Sequence, residues 1–293
     1  MILSGHESFA CRYGWLPKLY DALRQDDQLF ADDEKAIITL GIGKNMVRSL
    51  RFWGGAFGLT CTQGRRVCPT EFATKLLDPK RGKDPFLEDP SSLWKLHWTL
   101  TTTAGLGAWS VAFLGTPDAE ITKRKLVETL KTRAAHDKGR ATASTVAQHV
   151  DIFLRTYDGS SAHSSEDFLE DTLTCPLQEL GLLETADISG TPTIRFRRGE
   201  KVGLDAASFA HAVKDFWRSS ATNSRVLSLR SIMFDPAGPG AVFRLDEGSV
   251  FTLLSAVCNK TKSLELREDG AGGVDLVARE GNPFSVLEDM VWD

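Results

Sequence analysis

The sequence predicts an α+β, helix-rich protein built from tandem winged-helix-like modules. Apolar residues recur at helical spacing through most of the chain. Three times, a helical segment is followed by short extended segments of the kind that form a hairpin, and helices followed by a hairpin are typical of winged helices. Because 293 residues exceed one ordinary domain, we expect three modules, at residues 1–84, 85–220 and 221–293.

The first module contains the clearest helix-turn-helix pattern. Residues 15–24 have the apolar spacing of a helix with one buried face. Asp32 and Asp33 are candidate N-caps for a short helix that Gly41 ends, and helical spacing resumes over residues 45–53. A Gln-Gly turn then joins two short extended runs, which predicts a hairpin.

The middle module follows the turn-rich stretch DPKRGKDPFLEDP and is helical in pattern over residues 93–157. We expect Thr116 and Pro117 to open one helix there and Ser144 to cap the next. A second helix-turn-helix and a plain helical hairpin explain this segment equally well. A helix through LQELGLLE and an alternating strand TIRFRRGEK, with Ile194 and Phe196 facing inward, complete the module.

The last module has the same order of helix and hairpin, with a capped helix over residues 246–258 and a hairpin LELRE-DGAGG-VDLVAR. Its charge is opposite to that of the first module. Residues 230–293 contain six basic and eleven acidic side chains, whereas residues 35–83 contain ten basic and two acidic ones. Since the whole chain has a net charge of -4, phosphate binding must come from a local patch, and the amino-terminal part is the better candidate.

Several classes of protein are disfavoured by composition. Five cysteines without a C-x-x-C pair, and six histidines without metal-ligand spacing, argue against a disulfide framework and a metal site. The start MILSGHESFACRYGW lacks the pattern of a secretory signal. The uncharged stretch 98–117 is rich in Thr and Gly, which favours a buried helix over a membrane span. We expect a cytoplasmic protein without membrane contact.

The strongest constellation is GIGKNMVRSLRFWGG. On a helical wheel its three cations share one face and three apolar residues occupy the opposite face: Lys44, Arg48 and Arg51 against Met46, Leu50 and Trp53. Helix-turn-helix proteins place such a helix in the major groove, where Arg bonds guanine, Asn bonds adenine and Lys neutralises phosphate. Asn45 on this helix, and Arg65 and Arg66 at the predicted wing turn, favour binding of double-stranded DNA over an ordinary solvated face.

Catalytic motifs are sparse. GIGK lacks the spacing and the Ser or Thr of a phosphate-binding loop. Asp118 and Glu120, with Lys123 nearby, have the residue types of a metal-dependent nuclease, but Asp118 falls where we expect a helix N-terminus, which favours capping.

The densest run of reactive groups outside the basic residues lies near the start of the chain. The candidate catalytic residues are His6, Glu7 and Arg12. Histidine could act as a base and arginine could stabilise a phosphate in the transition state, and a tyrosine follows within the same eight residues. The alternative is an N-terminal arm whose polar groups tie it to the first helix.

GHESFACRYGWLPKLYDAL and LGIGKNMVRSLRFWG resemble the SspB-type family of single-strand DNA phosphorothioation operons, formerly a domain family of unknown function. The resemblance is specific over the first sixty or so residues, diffuse through ELGLL and weak in the last seventy. It implies membership of a bacterial anti-phage DNA-modification set, beside a cysteine desulfurase and an ATP-dependent sulfur-transfer protein. It also implies an association with DNA nicking, but it identifies no catalytic residue.

Together these observations predict the DNA-binding component of a phosphorothioation system, which nicks the strand to be modified or presents it. The residues indicate no cofactor, although nicking would call for a divalent metal. Two alternatives share the winged-helix features: a non-catalytic transcriptional regulator, and an assembly scaffold whose acidic C-terminal module docks a partner protein.

Overall fold

The structure is a computed structural model. The residues that it describes are 1–115, 118–136, 141–159, 175–220, 224–270, 272–279 and 281–292.

The amino-terminal third contains four helices and one hairpin. The elements are α1 Trp15–Gln25, a 3-10 turn Leu29–Ala31, α2 Asp33–Leu40, α3 Lys44–Ala56, β1 Thr60–Gln63, β2 Arg66–Pro69 and α4 Glu71–Leu77. The Asp32 side chain accepts hydrogen bonds from the backbone N–H groups of Glu34 and Lys35, so Asp32 is the N-cap of α2. Gly41 ends that helix in the left-handed conformation, at φ 62°. The predicted helices and the turn between them are confirmed.

The predicted hairpin is also confirmed. Strands β1 and β2 are antiparallel, with Cys61 opposite Cys68 and Gln63 opposite Arg66, which leaves Gly64 and Arg65 as the two-residue turn.

The middle third combines helices with a three-stranded antiparallel sheet of order β3-β5-β4. Its elements are α5 Pro90–Thr102, α6 Gly107–Trp109 with a π-helical continuation Ser110–Leu114, β3 Glu120–Thr122, α7 Lys123–His136, α8 Ala143–Tyr157, a 3-10 turn Pro176–Leu180, β4 Leu183–Ile188, β5 Thr191–Phe196 and α9 Ala206–Ser220. Ile194 and Phe196 are buried and Arg195 and Arg197 exposed, as the alternation predicts.

Three details of the middle third differ from the sequence predictions. The helix expected at Thr116 and Pro117, which lie outside the described residues, begins at Lys123 because residues 120–122 pair with β5 instead. The cap of α8 is Thr142, whose hydroxyl accepts from the N–H of Thr145, so the Ser144 assignment is wrong.

The third difference lies in LQELGLLE, which is not an α-helix. It is a 3-10 turn that ends at Leu180, because Gly181 takes a left-handed φ of 54° and the chain then enters β4.

The carboxy-terminal third has the predicted helix and hairpin. Its elements are β6 Val226–Ser228, α10 Leu229–Phe234, α11 Pro239–Val242, α12 Glu247–Thr261, β7 Leu264–Glu268, β8 Val274–Ala278 and α13 Pro283–Trp292, and its sheet has the order β6-β8-β7. The Asp246 side chain caps α12 by accepting from the N–H of Ser249.

A single cluster of buried apolar residues extends through all three thirds. Helix α9 lies at its centre and packs against α5, α12 and α13. The helix-rich α+β prediction is confirmed, while the module boundaries and the winged-helix character of the modules stay predictions. In the described part of the chain no helix is long and apolar enough to cross a membrane.

Candidate nucleic-acid interface

Helix α3 presents its cations to solvent. Lys44, Arg48 and Arg51 are exposed, whereas Leu50 and Trp53 on the opposite face are fully buried. The predicted phase of this helix is therefore confirmed. Its apolar face is centred nearer to Val47 than the sequence suggested, because Val47 is buried and Met46 only half-buried. Asn45 is exposed in the first turn, beside Lys44.

The buried face of α3 is held by close packing and one hydrogen bond. The indole Nε1 of Trp53 donates to the carbonyl oxygen of Phe9 at 3.1 Å. At Gly54, an added Cβ would lie 2.4 Å from the Leu19 side chain of α1, so glycine permits the two helices to approach closely. This packing fixes the orientation of α3 and hence the outward direction of its cations.

Carboxylates from residues 26–33 neutralise part of the basic surface. Ion pairs join Lys44 Nζ to Asp33 at 3.0 Å, Lys35 Nζ to Asp26 at 2.7 Å and Arg66 to Asp27 at 3.5 Å. The hydrogen bond from Lys44 lowers the pKa of Asp33. These acids immediately precede residues 35–83 in the sequence, and the fold brings them next to the cations of that segment. The basic surface is therefore weaker than the charge count implied.

The remaining cations of this surface are less constrained. Within the described ranges, Arg48 and Arg65 form no ion pair or hydrogen bond, and the Arg51 guanidinium lies 5.5 Å from the centre of the Phe30 ring. Arg65 is in the hairpin turn and Arg66 begins β2, and both side chains are exposed. The hairpin is fixed to the body by the Val67 N–H, which donates to the Asp27 carbonyl at 2.9 Å.

His6 belongs to a buried chain of hydrogen bonds. The Ala108 N–H donates to His149 Nε2 at 3.1 Å, which makes His149 Nδ1 the protonated nitrogen. His149 Nδ1 therefore donates to His6 Nε2 at 2.8 Å, and His6 Nδ1 donates to the Glu7 carbonyl at 2.9 Å. Burial lowers the pKa of both rings, that of His149 to about 3, so both are neutral at pH 7.

This chain of hydrogen bonds fits the alternative in which residues near the start tie an N-terminal arm to the body. Both ring nitrogens of His6 are engaged, and Ser49 of α3 donates to the His6 carbonyl at 2.9 Å. Glu7 and Arg12 are half-buried, and the Arg12 guanidinium lies 5.6 Å from the Phe9 ring centre. The catalytic role of His6, Glu7 and Arg12 stays a prediction.

The side chains that the sequence offers as metal ligands each form an ion pair with another part of the chain. Glu120 pairs with Arg195 at 2.7 Å, Asp118 with Lys125 at 3.7 Å and Lys123 with Asp151 at 2.6 Å. Asp118 is not at a helix N-terminus, so the expected capping role is wrong. Among the residues that the structure describes, no group of three or more His, Cys, Asp or Glu side chains could hold a metal ion. These side chains therefore do not fit the divalent metal that nicking would call for.

Comparison with known proteins identifies the family. A profile of DUF4007, a family of proteins of unknown function, matches residues 3–292. The chain belongs to the DUF4007 family. Two solved structures resemble this DUF4007 protein over 98% of its length and 86% of theirs. One is described as a magnesium ion-bound SspB crystal structure, with 32% identity and a TM-score of 0.86; the other, an SspB crystal structure, has 31% identity and a TM-score of 0.85. The SspB-type resemblance is thereby confirmed. No curated protein sequence matches the chain.

Proposed function

We propose that this DUF4007 protein is the DNA-binding component of a bacterial DNA phosphorothioation system. The likeness to SspB over nearly the whole chain supports the system. The observation that carries DNA binding is the exposed cationic face of α3, formed by Lys44, Arg48 and Arg51 opposite a buried apolar face. A helix with one cationic and one buried face can enter a major groove while it stays anchored to its module.

In this proposal α3 lies in the major groove of double-stranded DNA. Arg48 and Asn45 contact base edges, and Lys44 contacts a phosphate. Lys44 exchanges its carboxylate partner Asp33 for that phosphate at small cost, because both side chains are exposed and water screens their attraction. Arg65 and Arg66 in the hairpin contact the neighbouring backbone, where they add to affinity and orientation rather than to sequence recognition.

The protein would act in the cytoplasm, on chromosomal or invading DNA. Its proposed partners are a cysteine desulfurase and an ATP-dependent sulfur-transfer protein of the same system. Its proposed task is to nick the strand to be modified, or to present that strand for sulfur transfer. If the chain itself nicks, His6, Glu7 and Arg12 are the predicted catalytic residues.

Fluorescence anisotropy with a labelled duplex tests the DNA-binding step. The variant Lys44→Ala/Arg48→Ala/Arg51→Ala should bind at least about tenfold more weakly, because charge-assisted contacts contribute about 1.5–3 kcal/mol each in favourable geometry. The matched control is Arg230→Ala/Lys260→Ala/Arg267→Ala, which removes three exposed cations from the C-terminal module. Equal weakening in both variants would show non-specific attraction and would argue against an interface on α3.

A plasmid assay separates the proposal from its two alternatives. The pure protein is incubated with supercoiled plasmid and magnesium or manganese. Open-circular product supports a nicking component. A footprint at one promoter without nicking supports the transcriptional regulator. Absence of both nicking and DNA binding supports the scaffold, in which the acidic C-terminal module docks a partner.

A further inference from the structure

A cavity of about 290 Å³ lies between α4, α5, α9 and α13, apart from the cationic face of α3. We call it the α13 cleft. Side chains from separate parts of the sequence line it, including Phe72 and Lys75 of α4, Lys214 of α9, and Glu288 and Trp292 of α13. Neither the DNA-binding proposal nor the catalytic prediction uses any of these residues.

Two lysines, Lys75 and Lys214, line this cleft, and a third, Lys95, lies outside the lining but also contacts Trp292. The ammonium groups of Lys75 and Lys95 lie 5.5 and 5.4 Å from the centre of the Trp292 ring, and Lys214 forms an ion pair with Glu288. The Lys214 side chain is only 6% exposed, and Lys95 is 2% exposed. Within the described part of the chain Lys95 forms no ion pair, and burial lowers its pKa. A buried ammonium needs a counter-charge, so Lys214 favours an anion at this wall of the cleft.

The acidic side chains of the cleft are closer to solvent than Lys214, and Lys75 is about as exposed as they are. Glu288 is 41% exposed, Asp215 is 40% exposed and Glu71 is more exposed still. Glu288 lies between Lys214 and Lys75, and the distance to the Lys75 ammonium is 3.9 Å. Its exposed carboxylate can turn into water, whereas the buried Lys214 ammonium cannot. Glu288 is therefore a replaceable counter-ion for the lysines.

His211 adds an unsatisfied polar atom beside the lysines. It is 8% exposed, and in the described structure its Nδ1 has no hydrogen-bond partner. The Phe72 ring stacks on it with centroids 5.8 Å apart, and its Nε2 lies 3.6 Å from Asp215. Buried polar atoms in folded proteins nearly always have a partner, so an unpaired nitrogen at a cavity wall points to a ligand with polar atoms.

We propose that the α13 cleft binds a phosphate monoester, whose dianion replaces the Glu288 carboxylate between Lys75 and Lys214. Ammonium groups hold phosphate as point charges, and their attraction increases with burial. The phosphate belongs either to a free nucleotide or to the terminus of a DNA strand. A cation is disfavoured because the buried Lys214 ammonium would repel it, and a duplex is too wide for a cavity of about 290 Å³.

Calorimetric titration with inorganic phosphate, a nucleoside monophosphate and a 5′-phosphorylated oligonucleotide tests this site. Replacement of the lysine and of its counter-ion should have opposite effects. Lys214→Met should weaken phosphate binding by at least about tenfold, whereas Glu288→Gln should strengthen it, because the competing carboxylate is gone. Asp289→Asn is the matched control, since it removes the same charge from the exposed neighbour on α13. Circular dichroism checks that the variants fold, and the more exposed Lys75→Met replaces Lys214→Met if that variant does not.

The outcomes are distinct. Tighter binding of the nucleotide identifies a free nucleotide, and tighter binding of the phosphorylated oligonucleotide than of its 5′-hydroxyl counterpart identifies a strand terminus. No binding of any of the three phosphates, or equal affinity in the Lys214, Glu288 and Asp289 variants, would overturn the proposal. The Lys44/Arg48/Arg51 variant should keep phosphate binding, so failure of DNA binding on α3 and failure of this site can be told apart.

Discussion

Buried histidines should make the stability of this protein steeply dependent on pH. Burial lowers the pKa of His97 and His149 to about 3 and that of His211 to about 4, whereas the same histidines titrate near pH 6.5 in the unfolded chain. As the pH falls below about 6.5, these histidines therefore become protonated in the unfolded state while they stay neutral in the folded state. The stability that the neutral histidines contribute is fully present above about pH 6.5 and is lost as the pH falls towards their pKa values in the folded protein.

The magnitude follows from these pKa values. Between about pH 7 and pH 5, each of the three histidines should cost about 2 kcal/mol in the free energy of unfolding, or about 6 kcal/mol together. Native domains are stable by only about 5–15 kcal/mol, so we expect a large fall in the urea midpoint over this range.

A His149→Gln variant isolates one of these contributions. It should be less stable at pH 7, because the contacts with His6 and Ala108 change, but its stability should fall by about 2 kcal/mol less between pH 7 and pH 5. His136→Gln is the control, because His136 is exposed. Urea unfolding followed by circular dichroism measures all three proteins. If the free energy of unfolding of His149→Gln falls as much between pH 7 and pH 5 as that of the parent protein, the reasoning is refuted.

Three further predictions concern the α3 surface and the chemistry. Trp53→Ala should lower the free energy of unfolding by about 3–5 kcal/mol, because the ring is fully buried and donates to Phe9; a parent-like urea midpoint would contradict this packing. Asp33→Asn should tighten duplex binding by up to about fivefold in anisotropy titrations, since it frees Lys44, and Glu34→Gln should leave binding unchanged. If the intact protein nicks plasmid, Glu7→Ala and Arg12→Ala should abolish nicking while they preserve DNA binding, and retained nicking in both would place the chemistry elsewhere.

Local features were predictable from the sequence because local patterns determine them. The phase of α3 follows from helical periodicity, and the cap of α2 follows from Asp32. The β1–β2 hairpin follows from Gly64, although the turn is Gly64 and Arg65, one residue later than the predicted Gln-Gly turn. The apolar spacing of LQELGLLE is helical and predicts a helix. Gly181 and the pairing of Leu183 with Phe196 overrule that spacing.

Features that join distant segments were not predictable. His6 meets His149 across 143 positions, and no local pattern links them. The α13 cleft collects residues from α4, α5, α9 and α13, so neither Lys214 nor Glu288 stands out in the sequence. The acids at residues 26–33 were visible in the sequence, but only the fold shows that they pair with cations of α3 and the hairpin.

The central claim is that α3 binds DNA through its cations, and the salt dependence of duplex affinity tests it most directly. Each phosphate contact contributes about 0.9 to the slope of log K against log salt concentration. Because Arg48 is proposed to contact a base, Lys44 and Arg51 are the phosphate contacts of this helix, and the triple Ala variant should have a slope shallower by about 1.8. An unchanged slope and affinity in a folded triple variant would contradict the claim.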